Sequence, residues 1–438
     1  MSAALQIAIA FASIAVLLGL MALVKGLARA KDISAEVQRK LVHMGTGLYA
    51  LTLPWLFADR WPVFMLVGLT LLVMAVLRLP AMAKGGIGET LHGVERQSYG
   101  DILLALAVGT VFLLADGNAL LYVLPIATLT LADAAAALTG SHYGRKFFTV
   151  EDGQKSVEGS TAFFMVTLVL SMICLLLLSD VSRPNVILLG AMVAAFGTLV
   201  EADSWRGFDN FFLPTGLMVF LAMHMDSSWQ ELLGLIGMFV MTLALFLRLA
   251  PRLGVTKHAA RVYTIAAFLL ISVTALQNTV LPLLVFVIHA IAHRTNPCKA
   301  AYPALDIVAA IALASFGWLA AGLVAEANAL MFYGLMSVGL SVGLFGVALG
   351  KSTLGIRIGA ATALGIGLYG LYSILMQYNP AFVKWPGDMR LTGILVIGLV
   401  VTAVSFKPGA FNTYRAAKLT LLALVVPGLS YGMGVIQS

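Results

Sequence analysis

Charge is scarce in this chain. Only 11% of its 438 residues are Asp, Glu, Lys or Arg, and 61% are hydrophobic. A soluble domain carries roughly 25% charged and 45–50% apolar residues. The scarcity excludes a soluble globular enzyme as well as a disordered or fibrous chain. Alternation is also missing: the apolar stretches run continuously, which argues against an outer-membrane barrel. Cysteine is nearly absent. Cys174 lies in an apolar run and Cys298 in a short polar loop, so no disulfide framework is visible. The first apolar run has no basic stretch before it and no clear small-residue cleavage site, and no Arg/Ser-rich transit segment is present. That run reads as a retained helix, not a cleavable signal peptide.

What is present is a series of sixteen apolar runs, from 4–24 to 419–436, with a mean hydropathy of +0.98. This pattern predicts an all-α, polytopic bundle of about sixteen membrane helices. The net charge of +7 fits loops facing anionic lipid headgroups better than a nucleic-acid partner. With the N-terminus outside, 23 of the 27 Lys and Arg fall in inside loops and only Arg60, Arg183, Lys384 and Arg390 in outside ones. Such a bias sets orientation.

Carboxylates divide the chain differently. Of 20 Asp and Glu, 17 lie at or before Glu231, and only Asp306, Glu326 and Asp388 follow. Metal binding and proton transfer need carboxylates, so the chemistry is expected in residues 1–247. A basic stretch over 248–261 separates them from an additional membrane region, 248–438. No fixed-period repeat relates the halves.

Four polar clusters fall on the inside face. The first holds Arg39 and His43, four apart on one helix face. A basic anchor at the membrane surface explains the arginine, but an anchor needs no imidazole. The second runs from Glu89 to Asp101 and includes Arg96, and it also reads as a solvated loop. The third centres on Asp133, toward the inside end of an apolar helix, where a carboxylate is costly unless paired or liganded. About ten residues of loop follow, and then Lys155, Ser156, Glu158 and Ser160 open the next span. Lys155 and Ser156 would stand at a helix N-terminus, where free N–H groups attract anions. Asp133 would hold a divalent metal and Lys155 a phosphate, as phosphoryl transfer requires. The plainer alternative is Ser156 capping the helix beside an interfacial lysine. The fourth cluster holds Glu201, Asp203, Asp209 and Asn210, oxygen ligands suited to Mg²⁺, or else an ordinary Asp/Gly/Asn turn.

Three textual motifs carry nothing. Gly153 to Ser156 lacks the glycine spacing of a Walker loop. Gly365-x-Gly367-x-x-Gly370 and Gly428-x-Ser430-x-Gly432 lie inside apolar spans with no strand before them.

In order, the clusters resemble the CTP-dependent polyprenol kinase family, which includes dolichol kinase, phytol kinase and the related diacylglycerol kinase of yeast. The matching pieces are Arg39-Lys40-x-x-His43 with Gly47; Arg96-x-Ser98-Tyr99-Gly100-Asp101; Asp133 with Gly140 and Gly144; Lys155-Ser156-x-Glu158-Gly159-Ser160; and Glu201 with Asp209-Asn210 and Pro214. The resemblance covers about 36–215. One departure is that Ala132 precedes Asp133 where the family commonly has glycine.

The resemblance implies transfer of the γ-phosphate of CTP to the hydroxyl of a membrane isoprenoid alcohol or diacylglycerol, with Mg²⁺ or another divalent cation. Lys155, Ser156 and Ser160 would bind the nucleotide. Asp133, Glu158, Glu201 and Asp209 would hold metal or take the hydroxyl proton, the metal falling to Asp133, Glu201 and Asp209. Asn210 would complete the shell, and Arg39, His43 and Arg96 would reach phosphates or the lipid headgroup. The implied partners are a lipid alcohol, a nucleotide and the bilayer; homo-oligomerisation stays open. The expected location is a bacterial inner membrane with the site on the cytoplasmic face. Two rival functions remain: a cytidylyltransferase acting on a phospholipid, whose Lys-Arg, Lys-Asp and His-Gly-Gly blocks are not found, and a transporter, whose ionisable groups should cluster near the bilayer midplane. The second half would serve as scaffold, assembly surface or lipid channel.

Overall fold

The structure is a computed structural model and describes residues 1–31, 33, 35–77, 99–151 and 153–437. It is an all-α polytopic membrane protein. The helices are α1 (Ala3–Lys31), α2 (Ala35–Leu51), α3 (Trp61–Leu77), α4 (Gly100–Ala115), α5 (Ala119–Tyr143), α6 (Val157–Leu178), α7 (Arg183–Ala202), α8 (Asp209–His224), α9 (Trp229–Leu253), α10 (Lys257–Val273), α11 (Leu276–Thr295), α12 (Pro303–Val324), α13 (Leu330–Ala348), α14 (Leu354–Gln377), α15 (Arg390–Phe406) and α16 (Arg415–Gln437). Among the described residues, ten are long and apolar enough to cross a membrane, and α3, α4 and α15 are shorter apolar helices. The expected sixteen spans are therefore not all matched by length and composition: α2, α8 and α10 have 17, 16 and 17 residues and fall outside both groups.

The expected loop after α5 instead contains a two-stranded antiparallel hairpin, β1 (Phe147–Val150) and β2 (Gly153–Ser156), with Phe148 opposite Lys155. Its turn uses Gly153 at φ 125°, a conformation open to glycine and strained for other residues.

The chain forms two compact units, Met1–Ile236 and Gly237–Ser438, and the division falls within α9. In the first unit α5 is central and packs against α2, α4, α6 and α8. Asn118 caps its start by accepting from Leu121 N at 3.2 Å. Pro125 interrupts its ladder, and the backbone passes through one π-helical stretch, Thr128–Ala132, just before Asp133. Such bulges follow from an inserted residue and re-aim the side chains beyond them.

In the second unit α13 is the buried centre, with α11, α14, α15 and α16 around it. Four of its glycines meet neighbours closely. A Cβ on Gly339 would lie 2.8 Å from Val396, and one on Gly346 would lie 2.3 Å from Val404. Small residues let membrane helices approach where lipid offers no hydrophobic drive between them.

Candidate active site

The site is built on the C-terminal half of α5. Asp133 is buried, and a buried carboxylate needs a cation and hydrogen bonds to be tolerated. Lys40 of α2 provides both, with Nζ 3.0 Å from Oδ1 and 2.8 Å from Oδ2. His43, three residues on and so on the same face of α2, places Nε2 3.9 Å from Asp133 Oδ2. That nitrogen is buried without a hydrogen-bond partner. Gly47 continues the face. A Cβ there would lie 2.1 Å from Thr130 Oγ1, so only glycine lets α2 sit against the π-helical stretch that carries Asp133.

The hairpin delivers the second lysine. Val157 N donates to Lys146 O at 2.8 Å, closing the hairpin onto the start of α6. Lys155 then ion-pairs with Glu201, at the C-terminal end of α7. Burial disfavours the Lys155 ammonium, but the carboxylates of Glu201, Asp209 and Asp133 outweigh burial and raise its pKa above the usual lysine value. Ser156 is the N-cap of α6, accepting from Gly159 N at 3.0 Å. A Cβ on Gly140 or on Gly159 would each lie 2.8 Å from Ser156 Oγ. The Lys-Ser-x-Glu-Gly-Ser block is thus also a packing motif that seats the helix start against α5.

A third element closes the cluster. Asn210, in the first turn of α8, donates from Nδ2 to Gly100 O at 2.8 Å. Tyr99 N donates to Arg206 O at 3.0 Å. These bonds hold the first turns of α4 and α8 together. A cavity opens beside them. Its polar end is formed by Arg39, His43, Asp101 and Asn210, and its body by apolar side chains such as Val42, Leu53, Leu66, Val67 and Val108.

Not every expected residue joins. The carboxylate of Glu158 accepts from the backbone N–H of Arg145 at 3.1 Å and of Lys146 at 3.2 Å. It anchors the loop before the hairpin and makes no contact with Asp133 or Glu201. Ser160 Oγ is buried and makes no hydrogen bond. Arg96 lies outside the described residues. Among the described residues no three His, Cys, Asp or Glu side chains converge on a common metal position. The three carboxylates around Lys155 fit a different mode, in which Mg²⁺ takes one or two carboxylates and completes its shell with phosphate oxygens and water. Lys40 belongs to the Arg39-Lys40-x-x-His43 piece, but the sequence assigns it no role at the site. Its spacing of three from His43 was the available signal, but nothing local announces a partner 93 residues away.

The chain is similar to a phytol kinase of Synechocystis sp. (strain ATCC 27184 / PCC 6803 / Kazusa), 29% identical over 186 residues, which are 42% of this chain and 76% of that protein. This distant, partial similarity supports a kinase of the polyprenol and phytol type. No family model matches the sequence, and no solved structure matches the fold.

Proposed function

We propose that the protein transfers the γ-phosphate of CTP to the hydroxyl of a membrane isoprenoid alcohol. The observation that carries this reading is the cavity: apolar walls among the helices of the first unit, with Arg39, His43, Asp101 and Asn210 at one end, next to Asp133. A long-chain alcohol fits such a space with its chain along the apolar walls and its hydroxyl at the polar end. The relative's name supports an isoprenoid alcohol as the acceptor class.

In this reading Lys155 receives the nucleotide phosphates, and Arg39, Arg96 and His43 contact phosphate or headgroup oxygens. Ser156 holds the helix start in place, with Ser160 one turn further on, and Asn210 joins α8 to the α4 start. The alcohol oxygen forms a bond to the γ-phosphorus as the bond to the β-phosphate oxygen breaks, and CDP leaves. The hydroxyl proton passes to a carboxylate. Asp133 and Glu201 are each held by a lysine, so Asp209 is the one we assign to accept it. One or two of Asp133, Glu201 and Asp209 would hold a divalent cation, which would neutralise phosphate charge during transfer. The site would face the cytoplasm of a bacterial inner membrane, where nucleotide is available.

The test uses purified protein, Mg²⁺, a panel of lipid alcohols plus phosphatidate, and CTP labelled at either the α- or the γ-phosphate. Label reaching an alcohol only from the γ position is the expected result. Label reaching phosphatidate only from the α position would make the protein a cytidylyltransferase. Transfer from neither position, with ATP also inactive, would turn attention to transport.

A further inference from the structure

The second unit has few carboxylates and many cations. From Gly237 onward there are thirteen Lys and Arg against Asp306, Glu326 and Asp388. One of those cations is buried. Arg415, the first residue of α16, is 2% exposed. Its Nε donates to Phe411 O at 3.2 Å, but Nη1 and Nη2 have no acceptor. Next to it, on the last turns of α11, His289 is 4% exposed and its Nδ1 also has no partner. His293 stands one turn further on, with the two ring centroids 6.2 Å apart, and both rings feel the guanidinium charge. Asn412 Oδ1 is a fourth buried atom without a partner.

The backbone around these groups is tied down. Lys299 N donates to Asn412 O at 2.7 Å, and Asn296 donates from Nδ2 to Val347 O at 3.0 Å. Two segments distant in sequence, the end of α11 and residues 412–415, therefore carry these unsatisfied polar groups. A buried cation left without a counter-charge is strongly unfavourable, and protein interiors seldom leave such donors unmade. Among the described residues of this unit, no carboxylate accepts from the Arg415 Nη atoms. Glu326 and Asp388 lie toward the other end of α16, where Tyr431 donates to Ala327 O at 2.7 Å, about 24 Å along the helix from Arg415. Asp306 is in the first turn of α12 and accepts nothing from the Arg415 Nη atoms.

We propose that Arg415, His289 and Asn412 form an anion site in the second unit that takes a phosphate group. Two free Nη atoms form a fork that matches two oxygens of one phosphate. The imidazole and the first N–H groups of α16 supply donors from other directions, which suits a tetrahedral oxyanion better than a planar carboxylate. A half-turn of the Asn412 amide presents its Nδ2 to the same oxygens. The chemistry is shared by free phosphate and by the phosphate headgroup of a lipid.

The experiment follows the thermal midpoint of the full chain in detergent micelles, with inorganic phosphate and with geranyl phosphate as probes, against chloride at equal ionic strength. We expect the midpoint to rise with at least one probe. Arg415→Met removes the uncompensated charge while keeping the volume, so it should fold at least as stably as the unliganded protein and lose the response. Arg415→Lys keeps the charge but not the fork, and should weaken binding at least tenfold. The response should persist in Lys155→Met, which separates this site from the one in the first unit. A stronger response to geranyl phosphate would identify a lipid headgroup, and an equal or stronger response to inorganic phosphate would identify the free ion. No response to either probe, or a full response in both Arg415 variants, would overturn the proposal.

Discussion

Lys40 and Asp133 are 93 residues apart in sequence, yet the lysine Nζ reaches both carboxylate oxygens, at 3.0 and 2.8 Å. The pair joins α2 to the central helix α5 at the point where the backbone leaves its π-helical stretch. Breaking it from one side leaves a buried charge without its hydrogen-bonded partner, and such losses typically cost about 3–5 kcal/mol. Lys40→Met is therefore expected to lower the thermal midpoint more than Lys40→Met combined with Asp133→Asn, because the double variant buries no uncompensated carboxylate. Both are expected to lose lipid phosphorylation. Melting curves of the two variants in one detergent would check the order, and equal midpoints would count against the pair.

Lys155 is expected to matter for activity at every pH where the protein is studied. Its folded pKa is raised, so its charge favours folding fully below the ordinary lysine value of 10.5. That contribution is lost only as pH climbs through the higher folded value. The destabilisation caused by Lys155→Met should accordingly be the same at pH 6 and pH 9. Its effect on kcat/KM should be large, roughly 100-fold or more, as for removal of a charge aimed at a transferring group. Steady-state rates with labelled CTP at both pH values measure it.

Filling the cavity should affect the lipid and spare the nucleotide. Thr70 lines it from α3, away from the lysine and carboxylate cluster. Thr70→Trp is expected to raise KM for a long-chain isoprenoid alcohol by about tenfold, a loss equivalent to roughly 1.4 kcal/mol, while KM for CTP stays unchanged. Short alcohols should be affected less. An equal rise for both substrates would place the lipid elsewhere.

Close approach of α2 to α5 depends on Gly47. Gly47→Ala would put a Cβ 2.1 Å from Thr130 Oγ1 and 2.8 Å from its Cγ2, and overpacking of this kind typically costs about 1–3 kcal/mol. Adding Thr130→Ala removes both of those atoms and is expected to restore part of the lost midpoint. No recovery in the double variant would show that the clash is not the cause.

Much of the site was legible because membrane burial is unforgiving. Asp133 in an apolar run, and Lys155 with Ser156 at the start of another, stand out against a background that allows few charges. Ser156 does cap α6. Glu158 was read from the same block and serves the loop instead, because which way a side chain turns on the first turn of a helix depends on what packs beside it. Nothing local marks Lys40 as part of the site, since its partner comes from another helix.

Periodicity and composition by themselves determined that the chain is a helical membrane protein with its carboxylates gathered in the first half. Those properties follow from local preference and from the exclusion of charge by lipid, and they need no knowledge of neighbours. Tertiary structure alone decided which lysine meets which carboxylate, that the loop after α5 is a hairpin, and that Arg415 is buried beside His289. Each of these is a contact between segments distant in sequence, and such contacts depend on how helices pack, which no local pattern encodes.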